Sequence, residues 1–341
     1  MKKSHVIQLI AFTLALFFTP ACKSILEEVP VSQVSGLYLE TKAGFEDAVK
    51  ATYSTLRDWY GREHAFTLTV FGTDTYTMGA DGSFKFVNQY TSQMDSRLTP
   101  TRDVWNYFYS AINTANAVID RANATIPGLD APTQKTRVAE AKFLRAHDYF
   151  LLVQMFGAVH LSLKENKEVQ KTASRTAVPE IYKAIVADLE SALPDLPVTQ
   201  AQYGRVTKGA CEHLLSKVYL TKATSEAKAA DDFAKAATYA QNVIKNYSYS
   251  LVPDYAKLWE QGAGEVNSEV IMAVQYSTDP LTNIGATVGT NTVGSGIGSN
   301  QSGNGNNSHL YFGMEYDTQA GMQRDVFYGR HSSVSAQLIT V

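Results

Sequence analysis

The stretch Arg137 to Leu161, RVAEAKFLRAHDYFLLVQMFGAVHL, places the tightest constraint on the fold. Ala141, Leu144, Leu151, Leu152 and Met155 fall on one helical stripe, and Ala139, Phe143, Ala146, Phe150 and Val153 fall on another. A helix that is apolar on two sides has to be covered on both, so this one belongs at the centre of a helical core. From Arg137 to Phe156 it would run about 30 Å at 1.5 Å per residue, and Gly157 suits the left-handed residue that closes a helix. Glu140, Arg145 and Asp148 are its polar members; carried into a core, they are expected to pair with neighbours and not to hold a ligand.

Other segments repeat the helical spacing. Thr41 to Tyr60 places Phe45, Val49, Thr52, Tyr53, Leu56 and Tyr60 on one face, with Thr41 available as N-cap. Thr101 to Asn123 does the same with Trp105, Phe108, Ile112, Ala115 and Ile119, and Asn113 and Asn116 are expected to bond backbone groups of a neighbouring helix. Val178 to Leu193 carries Val178, Ile181, Tyr182, Ile185, Leu189 and Ala192; Pro179 sits where a first turn accepts it and Pro194 marks the stop. After Gly204-Arg205-Val206-Thr207 a further helix turns Ala210, Leu214, Leu215, Val218 and Tyr219 inward. Asp231 to Asn246 follows, with Phe233, Ala236, Ala237, Ala240, Val243 and Ile244 read as its inner residues. Small and large residues alternate at the contact positions, as in tetratricopeptide pairs, although the strict repeat of about 34 residues is missing. The expected class is all-α, with tetratricopeptide-like hairpins at 41–123, 134–193 and 207–246, long irregular loops and little β structure.

Between the helices, Gly61 to Pro100 lacks sustained periodicity and reads as a long loop. Leu251, Tyr255 and Leu258-Trp259 are expected to pack a short connection, and Glu269 to Tyr276 reads as a strand or extended segment. Asn283 to Ser308, rich in Gly, Asn, Ser and Thr, has too little apolar surface to order itself and is expected to be a mobile surface loop.

The first residues have the layout of an export signal: Lys2 and Lys3, the apolar run Val6 to Phe18, then Thr19-Pro20-Ala21-Cys22. That run, about thirteen residues, is shorter than the twenty or so that cross a bilayer. A small residue directly before Cys lets a lipoprotein signal peptidase reach the bond, after which the Cys22 thiol takes the lipid. The expected division is a signal peptide at 1–21, a lipid-anchored tether at 22–40 and a helical domain at 41–341. With Cys22 acylated, Cys211 is left as a small buried residue with no disulfide partner. A formal charge of -3 and the absence of any basic cluster exclude a nucleic-acid surface.

Several of these residues carry a resemblance. Ala139-Glu140-Ala141-Lys142-Phe143-Leu144-Arg145-Ala146, then Tyr149, Leu152 and Phe156-Gly157, resemble the signature helix of the SusD/RagB family. Trp105, Tyr109, Ile112, Asn113 and Asn116 resemble its W-x-x-x-Y-x-x-I-N-x-x-N pattern, and Arg175, Asp188-Leu189 and Glu269 to Tyr276 match further positions. Where the family usually continues Asp-Val-Pro-Leu after the helix, this chain has Ala158-Val159-His160-Leu161. The resemblance implies an outer-membrane lipoprotein facing the cell exterior, with Glu27 and Glu28 as surface-display residues. It implies capture of a glycan or other nutrient for a SusC-like TonB-dependent transporter, and in some relatives of peptides. Gly321 to Arg330 resembles a stretch after which the family runs on, so a C-terminally truncated member is expected.

No constellation points to catalysis, and neither an enzyme activity nor a cofactor is expected. The seven histidines show no H-E-x-x-H or paired-ligand spacing, and no Gly-x-Ser-x-Gly elbow occurs. Asp74 and Asp81 have the residue type of a glycosidase pair, but two Asp in a polar loop read better as turn residues. A sugar offers ring faces and hydroxyl edges, so a binding site needs exposed aromatics beside Asp, Asn or Gln. Gly72 to Gly82 supplies both, and the resemblance places ligand contacts there and in the later glycine-rich region. Asp74, Tyr76, Asp81, Asn304 and Tyr311 are the candidate ligand residues. The other functional class is a tetratricopeptide-type scaffold that binds only protein.

Overall fold

Helices follow one another along most of the chain in its computed structural model, which describes residues 36–61, 63–74, 85–168, 170–259, 264–276 and 337–338. Contacts divide the chain into Met1–Tyr38 and Leu39–Val341, and the helices named here lie in the second unit. They are α1 (Lys42–Ser54), α2 (Glu63–Thr69), α3 (Lys85–Asn88), α4 (Thr99–Arg121), α5 (Ala131–Phe156), α6 (Val178–Ala192), α7 (Lys208–Lys222) and α8 (Asp232–Asn246). Among the described residues, β structure is limited to β1 (Ala273–Val274) paired antiparallel with β2 (Gln337–Leu338), and one bridge between Val159 and Thr176. The fold is predominantly helical, as the periodicity requires. The signal segment with Cys22, the 283–308 loop and the 321–330 stretch lie outside the described residues.

The doubly apolar stretch forms α5, and it starts at Ala131 rather than Arg137. Asp130 caps it by accepting from the Thr133 amide at 2.9 Å, and a proline occupies its first turn. This polar first stretch has no apolar stripe, so only the cap signals it. At the other end Gly157 takes φ 66° and its N–H bonds the Val153 carbonyl at 3.0 Å. From Ala139 to Phe150 nearly every side chain is buried, because α4 and α6 flank the helix while α1 and α7 close on it. The main core runs from Leu56 and Trp59 through α4, α5, α6 and α7 to Met272, Val274 and Tyr276. A smaller cluster joins Phe45 and Val49 of α1 to Ala115 and Val118 of α4.

Several boundaries and faces differ from the sequence reading. The first helix ends at Ser54 and tightens into a 3-10 turn at Thr55–Asp58, while Thr41 caps it through Gly44 as expected. The 61–100 region is not a plain loop: it holds α2 and α3, each too short to show a helical period, and α2 buries Ala65, Phe66 and Thr67 beside α4. On α6 and α7 every expected inner residue is buried. On α8 the assignment is partly reversed, since Ala236 and Val243 are buried while Phe233, Ala237 and Ile244 face solvent. This helix has two apolar stripes, and α7 covers only one of them. Leu251 and Tyr255 are also exposed, whereas Leu258 is buried in that connection; the Trp259 side chain lies outside the described residues.

Candidate functional site

The polar residues of α5 build a structural network. Glu140, with no exposed surface, accepts from Arg137 at 2.6 Å, Arg205 at 2.7 Å, Tyr53 at 2.8 Å and Gln200 at 3.1 Å. Two guanidinium groups offset its charge and four donors fill its oxygens, leaving nothing for a ligand. Burial, reinforced by the Glu140 charge, pushes the Tyr53 hydroxyl well above its ordinary range, so it stays a donor. Arg145 forks onto Asp188 at 2.7 and 2.8 Å and also donates to Asn116 Oδ1 at 2.7 Å and the Leu163 carbonyl at 3.2 Å. Asp148 lies 3.1 Å from His147 Nδ1, and His147 Nε2 lies 2.8 Å from the Tyr60 hydroxyl.

Asn113 and Asn116 do bond backbone groups, although not those of a helix. Asn116 donates to the carbonyls of Ser162 and Lys164 at 3.0 and 2.9 Å, and Asn113 accepts from the Asn166 amide at 2.7 Å. Asp120 accepts from the Glu165 amide at 2.8 Å, and Tyr149 accepts from that of Ser162 at 2.7 Å. These side chains give an irregular segment the backbone partners that it lacks in itself.

Of the five candidate ligand residues, Asp74 lies in the described structure; Tyr76, Asp81, Asn304 and Tyr311 lie outside the described residues. Asp74 is exposed at the end of the turn that follows α2. That turn is tied to the segment after α3. The Gly72 amide donates to Asn88 Oδ1 at 3.0 Å, and the Tyr90 hydroxyl donates to the Gly72 carbonyl at 2.8 Å. Gly72 is favoured by its φ of 79°, and a Cβ there would also meet the tip of Tyr90, the hydroxyl at 2.7 Å and the nearest ring carbons at 2.9 and 3.0 Å, so the tyrosine would have to shift. Tyr90 itself has φ 52°, unusual for a bulky residue, and remains 67% exposed.

An aromatic ring held in a strained backbone and left in water, next to a turn ending in a carboxylate, has the chemistry of a sugar platform. The ring offers a face to C–H groups, and Asp74 offers acceptors to hydroxyls. Nothing in this pair performs proton transfer or nucleophilic attack. Tyr90 was missed from the sequence, although Asn88-Gln89-Tyr90 shows the same juxtaposition of amide and aromatic residues that singled out 72–82.

A concavity of about 340 Å³ lies among α6, α7 and α8, lined by Lys183, Glu190, Tyr219, Lys222, Asp232 and Lys235 among others. Its charges are mutually satisfied: Lys222 donates to both oxygens of Asp232 at 2.8 Å, Tyr219 donates to Glu190 at 2.7 Å, and Lys235 sits 5.2 Å over the Tyr219 ring. Cys211 is buried with its Sγ 3.5 Å from the Leu189 carbonyl, and burial together with Glu212 pushes its thiol far up, which removes it as a nucleophile. Among the described residues no cluster of His, Cys, Asp and Glu could hold a metal ion, and no helix is long and apolar enough to cross a membrane.

The profile of a SusD-like family, described as "Starch-binding associating with outer membrane", matches residues 26–220. The chain is 30% identical over 278 residues to SusD-like protein P2 of Formosa agariphila, covering 78% of this chain and 52% of that protein. It is 26% identical over 276 residues to a SusD-like protein of Bacteroides ovatus, covering 79% of this chain and 49% of that one. It thus spans about half the length of the curated relatives it matches. Among solved structures, a laminarin binding SusD-like protein superposes with TM-score 0.61 at 25% identity, over 70% of this chain and 52% of its own. A SusD homolog from Bacteroides thetaiotaomicron shares the fold with TM-score 0.62 at 24% identity, over 71% of this chain and 48% of its own.

Proposed function

The chain belongs to the SusD-like family, and on that ground we propose that it is a cell-surface binding protein, not an enzyme, that captures a nutrient glycan. In this reading Cys22 carries the lipid anchor in the outer membrane, and the captured glycan passes to a SusC-like TonB-dependent transporter. The helices act as a rigid mounting of tetratricopeptide-like hairpins, and the ligand is met by loops carried on them. The observation that supports the reading most directly is the exposed Tyr90 ring braced over Gly72, two positions before Asp74. Tyr76, Asp81, Asn304 and Tyr311 complete the proposed contact set. The solved protein described as laminarin binding and the family description of starch binding make laminarin and starch the first polysaccharides to try.

Affinity electrophoresis of the mature chain through gels containing such polysaccharides tests the proposal. Retardation is expected, and Tyr90→Ala should weaken it by more than about 1 kcal/mol, the usual effect of truncating an aromatic anchor. Mobility unaffected by every polysaccharide would sink the glycan reading. The second reading is a scaffold that binds only protein or peptide; it draws on the exposed Phe233 and Ile244 of α8, and binding of the transporter without any glycan retardation would favour it.

A further inference from the structure

Helix α8 packs one apolar stripe against α7 and turns a second one to solvent. Phe233, Ala237, Ala240 and Ile244 make up the outer stripe, recurring every three or four residues as one side of a helix with 3.6 residues per turn requires. Phe233 is 57% exposed and Ile244 74%, Ala237 is exposed and Ala240 is half-buried. Ala234 and Gln241, both exposed, border the stripe, so the face carries no charge.

The charges of the helix are drawn elsewhere. Lys222 of α7 holds Asp232 at 2.8 Å, while Lys235 reaches over the Tyr219 ring of α7 and pairs with Asp231 at 2.9 Å. Lys245 stands at the last turn, where a cation suits the helix dipole.

Along the outer stripe the side-chain sizes read the same in both directions: large, small, small, large. A half-turn about an axis passing between Thr238 and Tyr239 sets Phe233 of one copy against Ile244 of another and Ala237 against Ala240, and each contact then occurs twice. The alanines at the crossing let the two backbones approach to the short end of the usual helix separation of about 8–10 Å, and the Phe–Ile contacts fill the space on either side. The same rotation runs the helices antiparallel. Each positive N-terminus then lies beside a negative C-terminus, with Asp231 of one copy at the level of Lys245 of the other.

We propose that this face of α8 is a docking surface for a second copy of the chain, joined to it as a two-fold antiparallel pair of α8 helices. The stripe is about 16 Å long and one helix wide, too small to bury the roughly 1,200 Å² of total surface found in stable complexes. The pair is therefore weak and reversible.

Sedimentation equilibrium tests the surface on the mature chain carrying Cys22→Ser, which removes the lipid acceptor. Between about 1 μM and about 1 mM the average mass should rise from one chain toward two. Ile244→Lys and Phe233→Glu each bury a charge against an apolar residue at both ends of the pair, so each alone should weaken association at least about tenfold while helical circular dichroism is unchanged. Mixed in equal amounts they should associate again. The half-turn brings the new lysine against the new glutamate at one end and leaves a native Phe233–Ile244 contact at the other. Leu251→Lys, at an exposed apolar residue off the stripe, should associate like the wild type.

A wild type that remains a single chain at every concentration overturns the proposal and leaves the face to another segment or another protein. Association that survives Ile244→Lys overturns it too, as does a mixture no more associated than its separate components. Ala237→Trp, which blocks the close crossing without a charge, takes the place of either variant that fails to fold, and pairing that survives it counts equally against the proposal.

Discussion

At the scale of single residues, the most informative side chain is Arg145. It is 5% exposed, and its guanidinium makes four hydrogen bonds, two to Asp188 and one each to Asn116 and the Leu163 carbonyl, so it joins α4, α5, α6 and the segment after α5. Truncation to Met would leave the mostly buried Asp188 carboxylate without its counter-charge, and a loss of about 3–5 kcal/mol is expected in urea unfolding. Arg145→Lys keeps the charge but not the fork, so its loss should be smaller yet still measurable. The sequence shows that such residues must pair, because helical spacing puts Glu140, Arg145 and Asp148 inside. It does not show the partners, since Tyr53, Asp188 and Arg205 lie 87, 43 and 65 positions away. Asn113 illustrates the same limit: its taste for backbone groups follows from its chemistry, whereas the irregular segment that it serves is a product of tertiary folding.

At the scale of elements, legibility follows the length of the pattern. Helices α5, α6 and α7 carry two or more turns of apolar spacing, and their buried faces are the ones expected from it. Helices α2 and α3 are too short to have a period, and α2 forms where it packs against α4. The start of α5 rests on Asp130, which bonds both the amide and the hydroxyl of Thr133. Asp130→Ala should lower stability by about 1 kcal/mol, read as a shift in the denaturation midpoint with unchanged slope. On α8, spacing alone cannot rank two apolar stripes, and Phe233 and Ile244 were placed inward in error. Ile244→Lys should therefore change stability by no more than about 0.5 kcal/mol, whereas Val243→Ala, beside it but buried, should cost about 1 kcal/mol or more.

At the scale of the whole chain, one apolar cluster reaches from Leu56 to Tyr276 without a break between α4, α5, α6 and α7. Helical circular dichroism and near-ultraviolet aromatic signals should therefore be lost at one common denaturant midpoint; two separated midpoints would show that the cluster does not act as a unit. The helical class was readable from periodicity, and the family from the α5 signature. The ligand site was the least readable part. Contacts in loops are set by what the scaffold brings together, and Asp74 became meaningful only once Tyr90 was found beside its turn.

The seat of Tyr90 over Gly72 has an evolutionary corollary. Because Gly72 holds φ 79° and the tip of Tyr90 lies where a β-carbon would project, a side chain at position 72 strains the backbone and pushes the tyrosine from its seat. The two arms should drift as a pair, so lineages that retool this surface for another polymer should exchange both residues together and leave hybrids of one ancestral and one derived arm scarce.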